Sequence, residues 1–365
     1  MFPFFRVLRA TTAASAPGLL GAAIALCVSL GVSSAQAGDQ TSEVIAAIAR
    51  QFDDHSVIQL GELHRSLQIH SFIQRMLRDP QFICRADDVI VEFGNSRLQK
   101  LADIYGAGGA LRETQIESMW RETSVPLTWN TPVYRAVFDT IRDVNRAHLC
   151  THRVRIVLAD APLDWTKIKT VKDLLPFADR DAAMAGTVER EVIATHQHAF
   201  LITGEFHAQK RTRDEAEGLT LAEIVERRYP HALFAIVTVP SQSAAAALHM
   251  GSVPSFRPVH GSDLERAPYT MTMPDWSPGQ AARKGLPIGD VVDGLLNVGG
   301  DSSLFPSPTI YLDAAYAREL RRRATIIRAM TGQDFVAVVD DLVKEGRDQD
   351  ALAHPAPPPP NPGKH

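Results

Sequence analysis

The chain is poor in cysteine, with three in 365 residues, and carries no excess of positive charge. It also lacks the short signatures of several common active sites. There is no Gly-x-Ser-x-Gly elbow, no His-Glu-x-x-His and no Walker loop, which excludes the serine-elbow, zincin and P-loop chemistries those motifs serve. Gly106-Ala107-Gly108-Gly109 has no preceding strand or following helix of the nucleotide-binding kind and reads as a loop. A formal net charge of −4 gives nucleic acid no electrostatic footprint. No apolar run reaches the ~20 residues of a membrane-spanning helix. The longest, Gly18 to Val32, follows Arg6 and Arg9 and precedes Ala35-Gln36-Ala37. That is the layout of a cleaved signal peptide over residues 1–37. Cleavage after Ala37 removes two arginines and no acid, taking the net charge from −4 to −6. Leu26 before Cys27 does not suit a lipoprotein site. The expectation is a periplasmic or secreted protein with no stable membrane insertion.

Two cysteines remain after cleavage, Cys84 and Cys150. Each stands just before a predicted strand, Asp88 to Glu92 and Arg153 to Leu158. If those strands are parallel neighbours, the cysteines share an edge of the sheet and an oxidising compartment lets them pair. The alternative is two free buried thiols. Neither cysteine looks catalytic.

What the chain does have is one phrase used twice, Gly61-Glu62-Leu63-His64 and Gly204-Glu205-Phe206-His207. Each copy closes an apolar run, Ser56 to Leu60 and Ala199 to Thr203, of the kind that forms a buried strand. Glycine at a strand end lets neighbouring groups approach closely. If the backbone stays extended past it, Glu and His project to the same side. A carboxylate and an imidazole there can make a metal site or a general acid/base pair. A helix cap beside an unrelated histidine is the bland alternative, and the repetition argues against it.

Around these two anchors, predicted strands alternate with helices. A short amphipathic helix carries Val44, Ile45 and Ile48. Strand Val57 to Gly61 leads to a helix with Ile69, Phe72, Ile73, Met76 and Leu77 on one stripe, stopped by Asp79-Pro80. Strand Val89 to Phe93, a tryptophan- and proline-rich segment, helix Pro132 to Ala147 and strand Val154 to Leu158 follow. Next come a helix from Arg180, strand Ala199 to Thr203, a helix from Thr220 and strand Leu233 to Val239. The pattern predicts an α/β fold whose central sheet is mostly parallel, with helices on both faces. The ordered part, roughly 310 residues over 38–346, reads as one α/β domain. Residues 241–306, rich in Gly, Pro and Ser, read as a flap. A last strand is expected at Thr309 to Leu312. The helix after it carries Arg318, Arg321, Arg322, Arg323 and Arg328 as a solvated face. Residues 347–365, with Pro355 to Pro360, read as a disordered tail.

In parallel sheets ligands gather at the carboxyl ends of the strands. There this chain places Glu62, His64, Glu92, Asn95, Asp160, Glu205 and His207. Acids concentrated at buried positions call for a cation or a protonated histidine to offset them. Two histidines with several carboxylates suit a hard or borderline divalent ion.

These residues resemble the ChaN-like/TIKI/erythromycin-esterase superfamily in their order. The elements are Gly61 to His64, the strand-end Glu92, the helix Arg180-Asp181-Ala182-Ala183-Met184-Ala185, and Gly204 to His207, over roughly Val57 to Val239. The resemblance implies an active centre of Glu62, His64, Glu92 and His207, with Arg180 steadying an oxyanion or tying a helix end. It allows a divalent metal on His64, Glu92, His207 and Glu205, and substrate contacts at Asn95, Asp160 and Trp129. It implies a hydrolase acting on a small-molecule or peptide substrate, or else a haem- or metal-binding protein without catalysis. The chain departs from the haem-binding branch in lacking a lipoprotein cysteine. It departs from the esterases in placing each histidine three rather than four positions after its glycine.

Overall fold

A computed structural model describes residues 40–211, 218–239, 241–251, 254–269, 285–299 and 309–353. The expected signal peptide lies outside the described residues. Among them, no helix is long and apolar enough to cross a membrane.

Seven strands form one sheet in the order β3-β2-β4-β1-β5-β7-β6. They are β1 (Val57–Glu62), β2 (Asp88–Asn95), β3 (Arg155–Asp160), β4 (Ala199–Gly204), β5 (Leu233–Thr238), β6 (Ser255–Pro258) and β7 (Gly294–Asn297). All neighbours run parallel except β6 against β7. The mostly parallel α/β architecture is therefore as the alternating pattern predicts. β4 sits between β1 and β2, so the second Gly-Glu-x-His ends between the first copy and Glu92.

The central strands are buried on both faces, and their side chains divide by parity. Ile58, Leu60, Val89, Val91, Phe200 and Ile202 pack into one layer with the helices Leu67–Arg78 and Pro132–Arg146. Val57, Ile90, Val157, Leu201 and Ala235 pack into the other with Arg180–Val188 and Leu221–Arg228. Ser66, Asp179 and Thr220 cap three of these helices through their side-chain oxygens.

Cys84 and Cys150 are disulfide-bonded, with Cα atoms 5.2 Å apart. The bond lies at the amino edge of the sheet, where Asp88 pairs with Arg155.

Four expectations need correction. Thr309–Leu312 is a 3-10 helix rather than a strand. Its partner is the following helical hairpin, Ala314–Thr331 and Phe335–Ala353, turned by Gly332 at φ 77°. The second of those helices runs past Arg347, so 347–353 is helical rather than tail; residues 354–365 lie outside the described set. Within the expected flap, the described parts build β6, β7 and the helix Gln242–Ala247, packed around Val259, Tyr269, Val292 and Leu295. Last, the basic helix face is not wholly solvated. Arg323 is buried against Glu319 and Glu122 and donates to the Arg121 carbonyl, while Arg322 donates to the carbonyls of Ile168 and Trp165.

Candidate functional site

Because β2, β4 and β1 are adjacent and parallel, their carboxyl ends share one edge. Side-chain parity then sends Glu62 to one face of the sheet and Glu92 to the other. Gly204, between them, joins the two halves.

On the first face, the first motif forms a closed local pair. Glu62 Oε1 lies 2.6 Å from His64 Nδ1. His70, on the helix that follows, brings Nε2 to 3.4 Å from Glu62 Oε2, too loose for a formed hydrogen bond. Glu62 and His70 are both buried, whereas His64 keeps 27% of its side chain exposed. The His64 ring meets Trp129 edge to face at 4.7 Å, and His70 meets Tyr134 likewise at 4.9 Å. Burial works against charge on His64, yet the Glu62 carboxylate prevails and raises its pKa above the ordinary value. For Glu62, burial is likewise outweighed, by His64 and then His70, and its pKa falls.

On the second face the arrangement is ionic and dry. Glu92 accepts from Arg180 Nη2 at 2.9 Å and from the Gly204 amide at 2.6 Å, and its Oε1 lies 3.2 Å from His207 Nε2. Arg180 Nε also donates to Asp160 at 2.9 Å. His207 Nδ1 sits 2.6 Å from Asp181 Oδ1, which also accepts from the Leu221 amide. His207, Glu92 and Asp160 are fully enclosed. Burial opposes a charge on His207, but Asp181 and Glu92 override it and raise its pKa to about 10. Glu92 resists burial in the same way, held well below the usual carboxylate range by His207 and Arg180. At neutral pH His207 is an imidazolium.

The two motif glycines have a steric task. A Cβ on Gly204 would stand 2.5 Å from His64 Cε1 and 2.8 Å from its Nε2, with Glu92 Oε2 at 3.6 Å. The His64 ring thus occupies the space a side chain would need. A Cβ on Gly61 would stand 2.7 Å from the Glu205 Cα, where the second motif crosses β1. Gln59 fixes that crossing by donating to Thr203 Oγ1 and to the His207 carbonyl.

His64, Glu62, Glu92, His207 and Arg180 are therefore brought together. After Gly204 the chain turns into the 3-10 helix Glu205–Ala208, and the carboxylate on His207 Nδ1 is that of Asp181. The other expected contacts are placed differently. Asn95 is buried, donating to the Glu122 and Leu163 carbonyls and accepting from the Arg97 amide. Asp160 is an inward clamp for Arg180 and for Ser124, whose amide and hydroxyl it accepts. Trp129 is buried beneath His64 rather than spread as a roof.

The donor set does not fit a divalent ion. Among the described residues, no three His, Cys, Asp or Glu groups are arranged to hold one. Glu92 is engaged by Arg180, Gly204 and His207. The Arg180 guanidinium already compensates the Glu92 and Asp160 carboxylates.

Two residues of the centre escaped the sequence reading. His70 follows Ile69 in the apolar stripe and lies three before Ile73, and a histidine bordering a buried stripe was the available signal. Asp181 stood in the helix motif but drew no role, since nothing local connects it to His207, 26 residues on.

No family profile and no curated protein matches the chain. Solved structures similar to it include a Bacillus cereus protein, at 9% identity and TM-score 0.49, over 73% of this chain and 98% of that one. An erythromycin esterase mutant in its open conformation is similar at 12% identity and TM-score 0.48, over 71% and 93%. A succinoglycan biosynthesis protein is similar at 9% identity and TM-score 0.48, over 73% and 98%.

Proposed function

We propose that the chain is a hydrolase of acyl bonds, esters first, in which His64 activates water. The observation that carries this is the 2.6 Å contact of Glu62 with His64 Nδ1 on a partly exposed ring. A carboxylate on Nδ1 fixes the tautomer with the lone pair on Nε2, beside Gly204 and Glu92, and strengthens it as a base. Water donates its proton to that nitrogen as its oxygen attacks the acyl carbon. His207 and Arg180, each matched by buried carboxylates, hold Glu92 and the Gly204 amide in place beside that nitrogen. No step needs a metal. The signal-peptide layout of the sequence over residues 1–37 and the Cys84–Cys150 disulfide support action in the periplasm or outside the cell.

The test is turnover of a neutral ester panel by the mature protein with and without chelator. Wild type should hydrolyse at least one ester unaffected by chelator, and His64→Ala should lose roughly 10²–10⁴-fold while keeping its melting temperature. Full activity in His64→Ala would sink the proposal. A haem titration beside it distinguishes the second reading: a His64-dependent Soret shift without turnover favours a haem binder with His64 Nε2 as ligand.

A further inference from the structure

A cavity of about 330 Å³ abuts the second half of the centre. Arg180, Asp181 and His207 form one end, and most of the rest is apolar, including Leu127, Phe177, Phe206, Ile327, Met330 and Phe335. Its walls come from distant parts of the chain: the loop before Trp129, the segment Leu174–Phe177 and the C-terminal hairpin. The hairpin thus has a use beyond its own core. Beside the cavity the chain also shows apolar surface to solvent, with Leu175 55% exposed.

The polar end restricts what the cavity accepts. Arg180 looks like an anion site, but its guanidinium is matched by Glu92 and Asp160. The imidazolium of His207 is matched by Asp181 and Glu92. Asp179 and Asp181 line the same end. A carboxylate here meets fixed negative charge and no unmatched cation, whereas a neutral apolar chain meets a matching wall.

Resting on the hydrolase reading, we propose that this cavity is the acyl subsite and that it takes the unbranched chain of a neutral medium-chain carboxylic ester. The acyl chain then lies along the apolar walls, with its carbonyl directed out of the polar end toward His64, which does not itself line the cavity. Hydrolysis breaks the bond from acyl carbon to alkoxy oxygen. The oxygen of water joins the carbon, one water proton passes to His64, and the departing alkoxide takes a proton back. Ester and water give acid and alcohol, and the acid then ionises beside Asp179 and Asp181, which favours its release. The preference for a neutral ester and the expulsion of its acid arise from the same charges.

The experiment uses the mature full chain with p-nitrophenyl acetate, butyrate, hexanoate and octanoate. Each methylene buried is worth roughly fourfold in kcat/KM, so the six that separate octanoate from acetate should raise it by up to about 4,000-fold, and by about 100-fold with only between three and four of them buried. Met330→Trp, which fills the cavity, and Phe177→Asp, at its half-buried wall, should each cut that ratio to below about tenfold. Phe177→Asp guards against a misfolded tryptophan variant. Calorimetric binding gives a readout without turnover: octan-1-ol should bind wild type at least about tenfold more tightly than octanoate, and the two variants should lose it. A flat chain-length series with active short esters overturns the subsite and leaves the hydrolase standing. Octanol binding that the variants abolish, with no ester turned over, does the reverse. Octanoate binding as tightly as octanol overturns the charge argument.

Discussion

The two copies of Gly-Glu-x-His begin alike and end differently. After Gly61 the strand continues through Glu62, and the pair closes on itself with the carboxylate on its own histidine. After Gly204 the chain turns into a 3-10 helix, and a helix from elsewhere supplies Asp181 to His207 Nδ1. The first histidine is partly exposed, and the second is sealed in. In both, a carboxylate holds Nδ1 and Nε2 turns inward, but only the first copy contains its own carboxylate. The same four-letter phrase is complete in one place and half of a longer-range pair in the other. Burial then separates their chemistry, because the sealed copy keeps its proton and the open one can exchange it.

The sharpest way to break this comparison is to remove the cation beneath the sealed copy. Arg180→Ala leaves Glu92 and Asp160 buried without their partner and should destabilise the protein by about 3–5 kcal/mol. Urea melts showing less than ~1 kcal/mol would mean the pairs are not held as described. Next, Glu62→Gln should lower kcat/KM on any ester the wild type hydrolyses by about 10²-fold, whereas Glu205→Gln should change it less than about threefold. Equal losses would restore the symmetry that the geometry denies.

A pH series probes the sealed copy alone. His207 has its pKa raised by folding, to about 10. Its stabilisation is therefore complete below the unfolded value near 6.5 and is lost as pH rises through about 10. The melting temperature should fall across that window. His207→Gln should abolish that part of the fall, and a fall of the same size in the variant would assign it to other groups. The smallest effect is expected at His70. His70→Leu removes the partner of the second Glu62 oxygen and should cost about 1 kcal/mol. His70→Gln, which keeps a donor, should recover part of it; identical melts for the two variants would show that only packing matters there.

Most of the fold was legible because short apolar runs ending at a glycine are local signals, and Val57 to Leu60 and Ala199 to Thr203 display them plainly. The convergence of His64, Glu92 and His207 follows from parallel strands alone. What was not legible depends on long-range pairing. Thr309–Leu312 reads as a short apolar strand but forms a 3-10 helix whose Tyr311 packs into the C-terminal hairpin. β6 and β7 are four residues each, too short to show a period amid glycine and proline. Asp181 meets His207 across 26 residues of chain, a pairing with no local trace in the sequence.

The contact between Gly204 and His64 has an evolutionary consequence. Because the imidazole fills the volume of the missing Cβ, the two positions are epistatic. Gly204→Ala should be damaging while His64 is present and better tolerated once His64 is alanine, giving a coupling of ~0.5–3 kcal/mol in a double-mutant cycle. A lineage that acquires a side chain at 204 must first have given up the histidine. The loss of this centre therefore has a preferred order, and a descendant carrying alanine there has crossed a ratchet that a single reversion does not undo.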